Sequence, residues 1–244
     1  MWSLDKEGQN PCVIDSIVEL SESLTLIGGG RISDGDIALA RQLAPTCVAA
    51  DSGADAALDA GVPLAAVVGD MDSISDQARA QIPSERLFHI AEQDSTDFDK
   101  ALRHFAAPLI IAVGFAGGRI DHELAVMHTL IRRADRHVVV LTDEDVVFHC
   151  PADFSLTVSP QTRVSLFPMQ AVTGRSTGLY WPIEGLHFAP GVLSGTSNRA
   201  TGTSLRLQMD GPGMLCILPR AFIQPVVSAL LALPAPARWP VRAG

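Results

Sequence analysis

The sequence predicts an α/β protein: an N-terminal doubly wound parallel-sheet domain over residues 1–145, then a smaller all-β sandwich or barrel domain over residues 146–244. Three observations predict it. Up to residue 145, short and almost continuously apolar runs alternate with helical patterns, as parallel strands covered on both faces by helices should. Beyond Val146, short strands follow one another across Gly, Pro and Ser turns. The charge breaks at the same place. Residues 1–145 carry 24 acidic and 11 basic side chains, a net of −13, whereas residues 146–244 carry 3 acidic and 7 basic, a net of +4.

The strands of the first part are expected at 24–28, 46–51, 65–70, 86–91, 109–114 and 137–142, each a run too apolar for an alternating, one-sided strand. Helices are expected between them at 34–43, 53–60, 75–80, 97–106 and 121–134. In the second part, strands are expected at 146–150, 154–158, 163–167, 203–209 and 214–218, with one late helix over 222–231. The Pro-Ala tail after Leu233 is expected to fray.

Composition narrows the function classes. Of 244 residues, 47% are hydrophobic and 18% charged, which excludes a disordered chain. A net charge of −9 argues against nucleic-acid binding, and no apolar run reaches the roughly 20 residues of a membrane span. Four cysteines (Cys12, Cys47, Cys150, Cys216) form no C-x-x-C pair, and Met1–Glu7 lacks a basic start before an apolar stretch. Both features predict a reducing, cytoplasmic setting without a secretory signal.

In an open parallel sheet, ligands bind beyond the carboxyl ends of the strands. Five successive strand ends here carry glycines, carboxylates or both: Gly28-Gly29-Gly30, Asp51-Ser52-Gly53, Gly69-Asp70-Met71-Asp72-Ser73, Gln93 to Lys100, and Gly114 to His122. Asp70 and Asp72 would share one side of an extended chain. Two carboxylates about 5 Å apart repel by roughly 3 kcal/mol at an effective dielectric near 20, a cost that a hard divalent cation reverses. Turn and capping chemistry is the plainer reading of the same residues.

Thr96 suits an N-cap with Asp97 and Asp99 in the first helical turn, and a helix start also suits phosphate. Asp94 and Asp97 compete for a third ligand position, Lys100 either reaches phosphate or pairs with Asp97 or Glu92, and Asp99 is expected to be structural. Gly117-Gly118-Arg119 offers backbone N–H groups and a bidentate fork to an anion. Asp121 is either a helix cap or a carboxylate near the phosphates. There is no Walker A loop, no complete dinucleotide fingerprint, no G-x-S-x-G elbow and no H-x-x-x-H cluster.

Taken in order, Ala50–Ala54, Gly69–Ser73, Gln93–Lys100, Gly117–His122, Gly178-Leu179-Tyr180-Trp181-Pro182 and Thr196-Ser197-Asn198 resemble the thiamine pyrophosphokinase family. The resemblance implies a homodimer with active sites between subunits, and transfer of a diphosphate from ATP to the hydroxyl of thiamine, releasing AMP. It implies Mg²⁺ held by Asp70, Asp72 and Asp97, and phosphate or nucleotide contacts from Gln93, Thr96 and Arg119. Asp51 would meet substrate or metal-bound water, Asp121 would stand near the reacting groups, and Trp181, Ser197 and Asn198 would line the thiamine pocket. Trp181 is equally suited to ordinary packing. Four positions depart from the usual pattern: Ser52, Asp55, Met71 and Tyr180. A diphosphotransferase for another heterocyclic alcohol, such as a pterin, and a non-catalytic nucleotide-binding regulator are the rival readings.

Overall fold

The computed structural model describes residues 17–92, 94–233 and 239. Met1–Glu7, Cys12, Gln93 and the Pro234–Ala237 tail, all singled out above, lie outside the described residues. In chain order the elements are β1 (Val18–Glu19), β2 (Leu24–Ile27), α1 (Asp36–Leu43), β3 (Thr46–Ala50), α2 (Gly53–Asp59), β4 (Ala66–Gly69), α3 (Asp76–Gln81), β5 (Leu87–His89), α4 (Asp97–His104), β6 (Phe105–Ala106), β7 (Ile110–Val113), α5 (Ile120–Arg132) and β8 (Val138–Leu141). There follow β9 (Asp145–His149), β10 (Asp153–Thr157), β11 (Arg163–Pro168), β12 (Gly174–Thr177), β13 (Gly195–Arg199), β14 (Ser204–Met209), β15 (Met214–Pro219) and α6 (Ile223–Leu231).

Ten strands form one sheet in the order β13-β11-β15-β9-β8-β7-β2-β3-β4-β5. From β8 to β5 every pairing is parallel; from β8 to β13 every pairing is antiparallel. β2, β4, β7 and β8 are buried along their whole length, the pattern expected of strands with helices on both faces. Alternate residues feed two cores. Leu24, Leu26, Val48, Val68, Ala112 and Val140 pack with Phe98 and Leu102 of α4 and Val126 and Leu130 of α5. Ile27, Ala49, Val67, Val113 and Val139 pack on the other face with Ile37 and Ala40 of α1, Ala54 and Ala57 of α2, and Ala78 of α3.

This second core runs on without a break into the C-terminal part. There the antiparallel end of the large sheet faces a three-stranded sheet, β10-β14-β12, with Phe148 against Phe154 at 5.1 Å between ring centroids. β10 and β14 alternate buried and exposed positions, as strands with one wet face do. The result is a sandwich that borrows one of its layers from the sheet of the first part. Two features differ from the sequence expectation. The helix over 97–106 ends at His104, because Phe105 and Ala106 extend to pair with β1. β12 and β13 were not anticipated, since neither carries an apolar run.

Candidate active site

Among the parallel strands, chain order reverses between β2 and β7, so the loops leaving these two strands part from each other. A cleft of about 630 Å³ opens there. Its wall is built from Gly29 and Gly30 after β2, Asp51 and Ser52 after β3, Asp70 and Ser73 after β4, and Ser95 to Phe98 with Lys100 around the start of α4. Gly114 to Ala116, Gly118, Arg119, His122 and Glu123 complete it. The two central loops touch backbone to backbone. Gly114 has φ +77°, and a Cβ there would lie 2.4 Å from the Gly28 carbonyl oxygen, so only glycine fits.

The carboxylates are delivered by left-handed backbone. Asp51, immediately after β3, has φ 44°, and Met71, just beyond β4, has φ 63°. Such conformations cost an L-residue about 1 kcal/mol or more and gather at functional sites. Asp70 and Asp72 therefore flank a turn rather than lying along extended chain. Met71 between them is buried, and its carbonyl accepts a hydrogen bond from Arg79 of α3. Across the turn, the Asp72 amide donates to Asp70 Oδ1 at 3.4 Å.

Asp51, Asp70 and Asp72 present carboxylate oxygens that all lie within 4.8 Å of one another. Asp51 is 4% exposed, and its Oδ1 is buried without a hydrogen-bond partner among the described residues. Burial pushes its carboxyl above the usual range, and the charges of Asp97, Asp70 and Asp72 push the same way, while Ser73 opposes them. A buried, unpartnered carboxylate oxygen beside two further carboxylates is the donor set of a hard divalent cation.

Asp97 adjoins this group through Lys100. The Lys100 ammonium, 2% exposed, stands 3.1 Å from Asp97 Oδ1 and 3.6 Å from Asp70 Oδ2. Burial works against that charge, but Asp97 and Asp70 outweigh it and hold the ammonium above its ordinary value. For Asp70, partial burial is outweighed by the Asp72 amide and by Lys100, and its carboxyl sits below the usual range. Thr96 caps α4, its hydroxyl accepting from the Asp99 amide at 3.3 Å. Asp99 points away from the cleft and takes two hydrogen bonds from Arg133, at 2.9 and 3.2 Å, so its part is structural.

The loop after β7 holds anions of its own chain. The Gly117 amide donates to Glu123 Oε2 at 3.1 Å, and Arg119 grips Asp121 through Nη2 at 2.6 Å and Nε at 3.2 Å. Hydrogen bonding to Arg119 lowers the Asp121 carboxyl. Glu123 lines the cleft without having been singled out from the sequence, while Ser73 and Phe115 lie within the strand-end segments quoted above but were given no role. Asp94 is exposed and absent from the wall.

Comparison with known proteins shows what this chain is similar to. Residues 39–141 match the family model described as "Thiamin pyrophosphokinase, catalytic domain", a stretch that includes Asp51, Asp70, Asp72, Asp97 and Arg119. Over that stretch the chain is similar to the catalytic domain of thiamine pyrophosphokinases. It is 26% identical over 163 residues to thiamine pyrophosphokinase 1 of Oryza sativa subsp. japonica, the match covering 59% of this chain and 62% of that relative, so it spans less than two thirds of the relative's length. It is 29% identical over 164 residues to thiamine pyrophosphokinase of Bacillus subtilis, covering 62% of this chain and 76% of that one. In fold it is similar to thiamin pyrophosphokinase from Candida albicans (TM-score 0.69, 18% identity, 82% and 89% of the two chains). The crystal structure of the Bacillus subtilis enzyme is similarly close (TM-score 0.67, 21% identity, 81% and 98%).

The positions that depart from the pattern of the thiamine pyrophosphokinases have local uses. Asp55 binds the amide and hydroxyl of Ser75, the N-cap of α3. Ser52 packs against Gly29, and Met71 fills core. Tyr180 meets Trp181 edge-on at 4.8 Å, with the Arg199 guanidinium 4.1 Å above the Tyr180 ring.

Trp181, Ser197 and Asn198 are not part of the cleft. β13, which carries Ser197 and Asn198, is the far edge strand, five strand spacings or roughly 24 Å from β7. Asn198 is buried and clamps the Trp181 backbone, accepting from its amide at 3.2 Å and donating to its carbonyl at 2.7 Å. The Trp181 ring is left 54% exposed.

Proposed function

We propose that this chain transfers a diphosphate from ATP to the hydroxyl of thiamine, forming thiamine diphosphate and AMP. The observation that carries the proposal is the meeting of Asp51 and Asp70, in the wall of the cleft at the reversal of strand order, with Asp72 beside them, and with Asp51 Oδ1 buried and unpartnered among the described residues. Mg²⁺ held by Asp51, Asp70 and Asp72, with Asp97 beside them, would neutralise phosphate oxygens and so expose the β-phosphorus to attack.

The remaining roles belong to the chain itself. Thr96, the amides of Gly117 and Gly118, Arg119 and Lys100 bind and orient the triphosphate, and Gln93 joins them on the strength of the resemblance. The thiamine hydroxyl oxygen attacks the β-phosphorus and releases its proton to water, the bond from that phosphorus to the α,β-bridging oxygen breaks, and AMP leaves with the bridging oxygen. Asp121, already paired with Arg119, positions that guanidinium near the reacting groups.

Trp181, Ser197 and Asn198 form the thiamine platform in this proposal. Since β13 lies at the far edge of the sheet, a second copy of the chain would bring them to the cleft, which makes the working unit a homodimer. The charges suit such a pairing, with −13 on residues 1–145 facing +4 on residues 146–244. The division into a catalytic domain over 1–145 and a thiamine-binding domain over 146–244 is part of the same reading. A cytoplasmic location goes with the reduced, buried state of Cys47, Cys150 and Cys216; among the described residues, no helix is long and apolar enough to cross a membrane.

The test is product identification after incubation with ATP, Mg²⁺ and thiamine. Equal amounts of AMP and thiamine diphosphate are expected. ADP with thiamine monophosphate would replace the proposal with a simple kinase, and tight ATP binding without turnover would replace it with a regulator.

A further inference from the structure

Lys100 is an unusual neighbour for a cation site. Its ammonium is almost wholly buried, lines the cleft, and bridges Asp97 and Asp70 at 3.1 and 3.6 Å. Asp70 is thus shared. Its carboxylate belongs to the three-carboxylate group, and its Oδ2 faces Lys100. Asp51, Asp70 and Asp97 line the cleft with this ammonium, and Asp72 stands beside Asp51 and Asp70.

From this we infer that Lys100 is a built-in counter-cation that makes metal loading depend on nucleotide. The inference rests on the proposed metal and ATP reading of the site. A buried positive charge one carboxylate away repels an incoming divalent cation, because little water lies between to screen it. The same charge attracts a triphosphate. Without nucleotide, the ammonium stabilises Asp70 and Asp97 and discourages a bare metal ion. When a triphosphate enters, its oxygens give the ammonium new partners and bring further negative charge, so the divalent cation is then bound more tightly. Metal and nucleotide are coupled through one side chain, and each must raise the other's affinity by the same factor.

The test is calorimetric binding of Mn²⁺ to the full chain, with and without a non-hydrolysable ATP analogue, for the wild type, Lys100→Met and Lys100→Gln. Circular dichroism and a melting curve identify which variants fold; Gln supplies hydrogen bonds where Met supplies only volume. In the wild type, the analogue is expected to tighten Mn²⁺ binding. In a folded variant, Mn²⁺ alone should bind at least about tenfold more tightly than to the wild type, and the tightening by the analogue should shrink. Unchanged or weaker Mn²⁺ binding in a folded variant, with a wild type that still binds Mn²⁺ alongside the analogue, would overturn the role of Lys100 alone. Failure of both variants to fold would also overturn it, by showing that the ammonium is needed to hold the fold rather than to gate the metal. No Mn²⁺ binding to the wild type even with the analogue would overturn the metal reading as well.

Discussion

Asp51→Asn is the substitution that separates what the site costs from what it does. Asp51 is 4% exposed, has an unpartnered oxygen, and approaches both Asp70 and Asp72 within 4.8 Å. At that distance one pair of unit charges repels by about 3.5 kcal/mol at an effective dielectric of 20. Solvent around exposed Asp72 and the ammonium beside Asp70 reduce this, leaving a gain of about 1–2 kcal/mol when Asp51 is made neutral. Asparagine keeps the shape and tolerates the φ of 44°, whereas alanine would add strain.

For a chain of this size the gain corresponds to a rise of about 3–6 °C in melting temperature, read by calorimetry in EDTA at neutral pH. Activity should be lost in the same variant. The pH dependence has a definite sign. The folded-state carboxyl of Asp51 lies above its ordinary value, so the folded protein takes up that proton more readily than the unfolded chain. The destabilisation is full above the folded value and disappears as pH falls through it toward the ordinary value, so the advantage of Asp51→Asn must shrink on acidification. A variant that melts at or below the wild-type temperature in EDTA would refute the reasoning.

Asp70→Asn and Asp72→Asn should each lower turnover by about 100-fold or more with an unchanged circular dichroism spectrum; activity near wild type in either would remove that carboxylate from the metal set. Glu123→Gln should tighten ATP binding about threefold or more by calorimetry, since the carboxylate now held by the Gly117 amide would no longer repel the triphosphate. Asn198→Ala should cost about 1–3 kcal/mol of stability and raise the KM for thiamine while leaving that for ATP alone, because the lost bonds fix the backbone of Trp181. An equal rise in both KM values would show a general loss of structure instead.

The parallel half was legible in the sequence because its strands are buried on both faces and so read as unbroken apolar runs such as Val138–Leu141. The position of the cleft was legible for a related reason. Ligand chemistry in such a sheet collects where strands end, and Asp51, Asp70, Thr96, Asp97 and Arg119 all follow strand ends into one cleft. What was not legible depends on contacts distant in sequence. β13 has only Asn198 buried, so no pattern announces it as a strand, and its place at the sheet edge comes from pairing with β11. The continuity of the large sheet across residue 145 rests on the antiparallel pairing of β9 with β8, which a change of composition hides. Asp51 as a third member of the carboxylate group depends on a left-handed backbone angle, and the partners of Lys100 depend on the fold bringing Asp70 to α4.

The central claim is that carboxylates far apart in sequence hold one nucleotide-bound cation. Anomalous diffraction from crystals grown with Mn²⁺ and a non-hydrolysable ATP analogue tests it most directly. The account predicts a Mn²⁺ peak at coordinating distance from Asp51, Asp70 and Asp72, with phosphate oxygens completing its shell. A nucleotide bound in the cleft with no metal at those three side chains would contradict it.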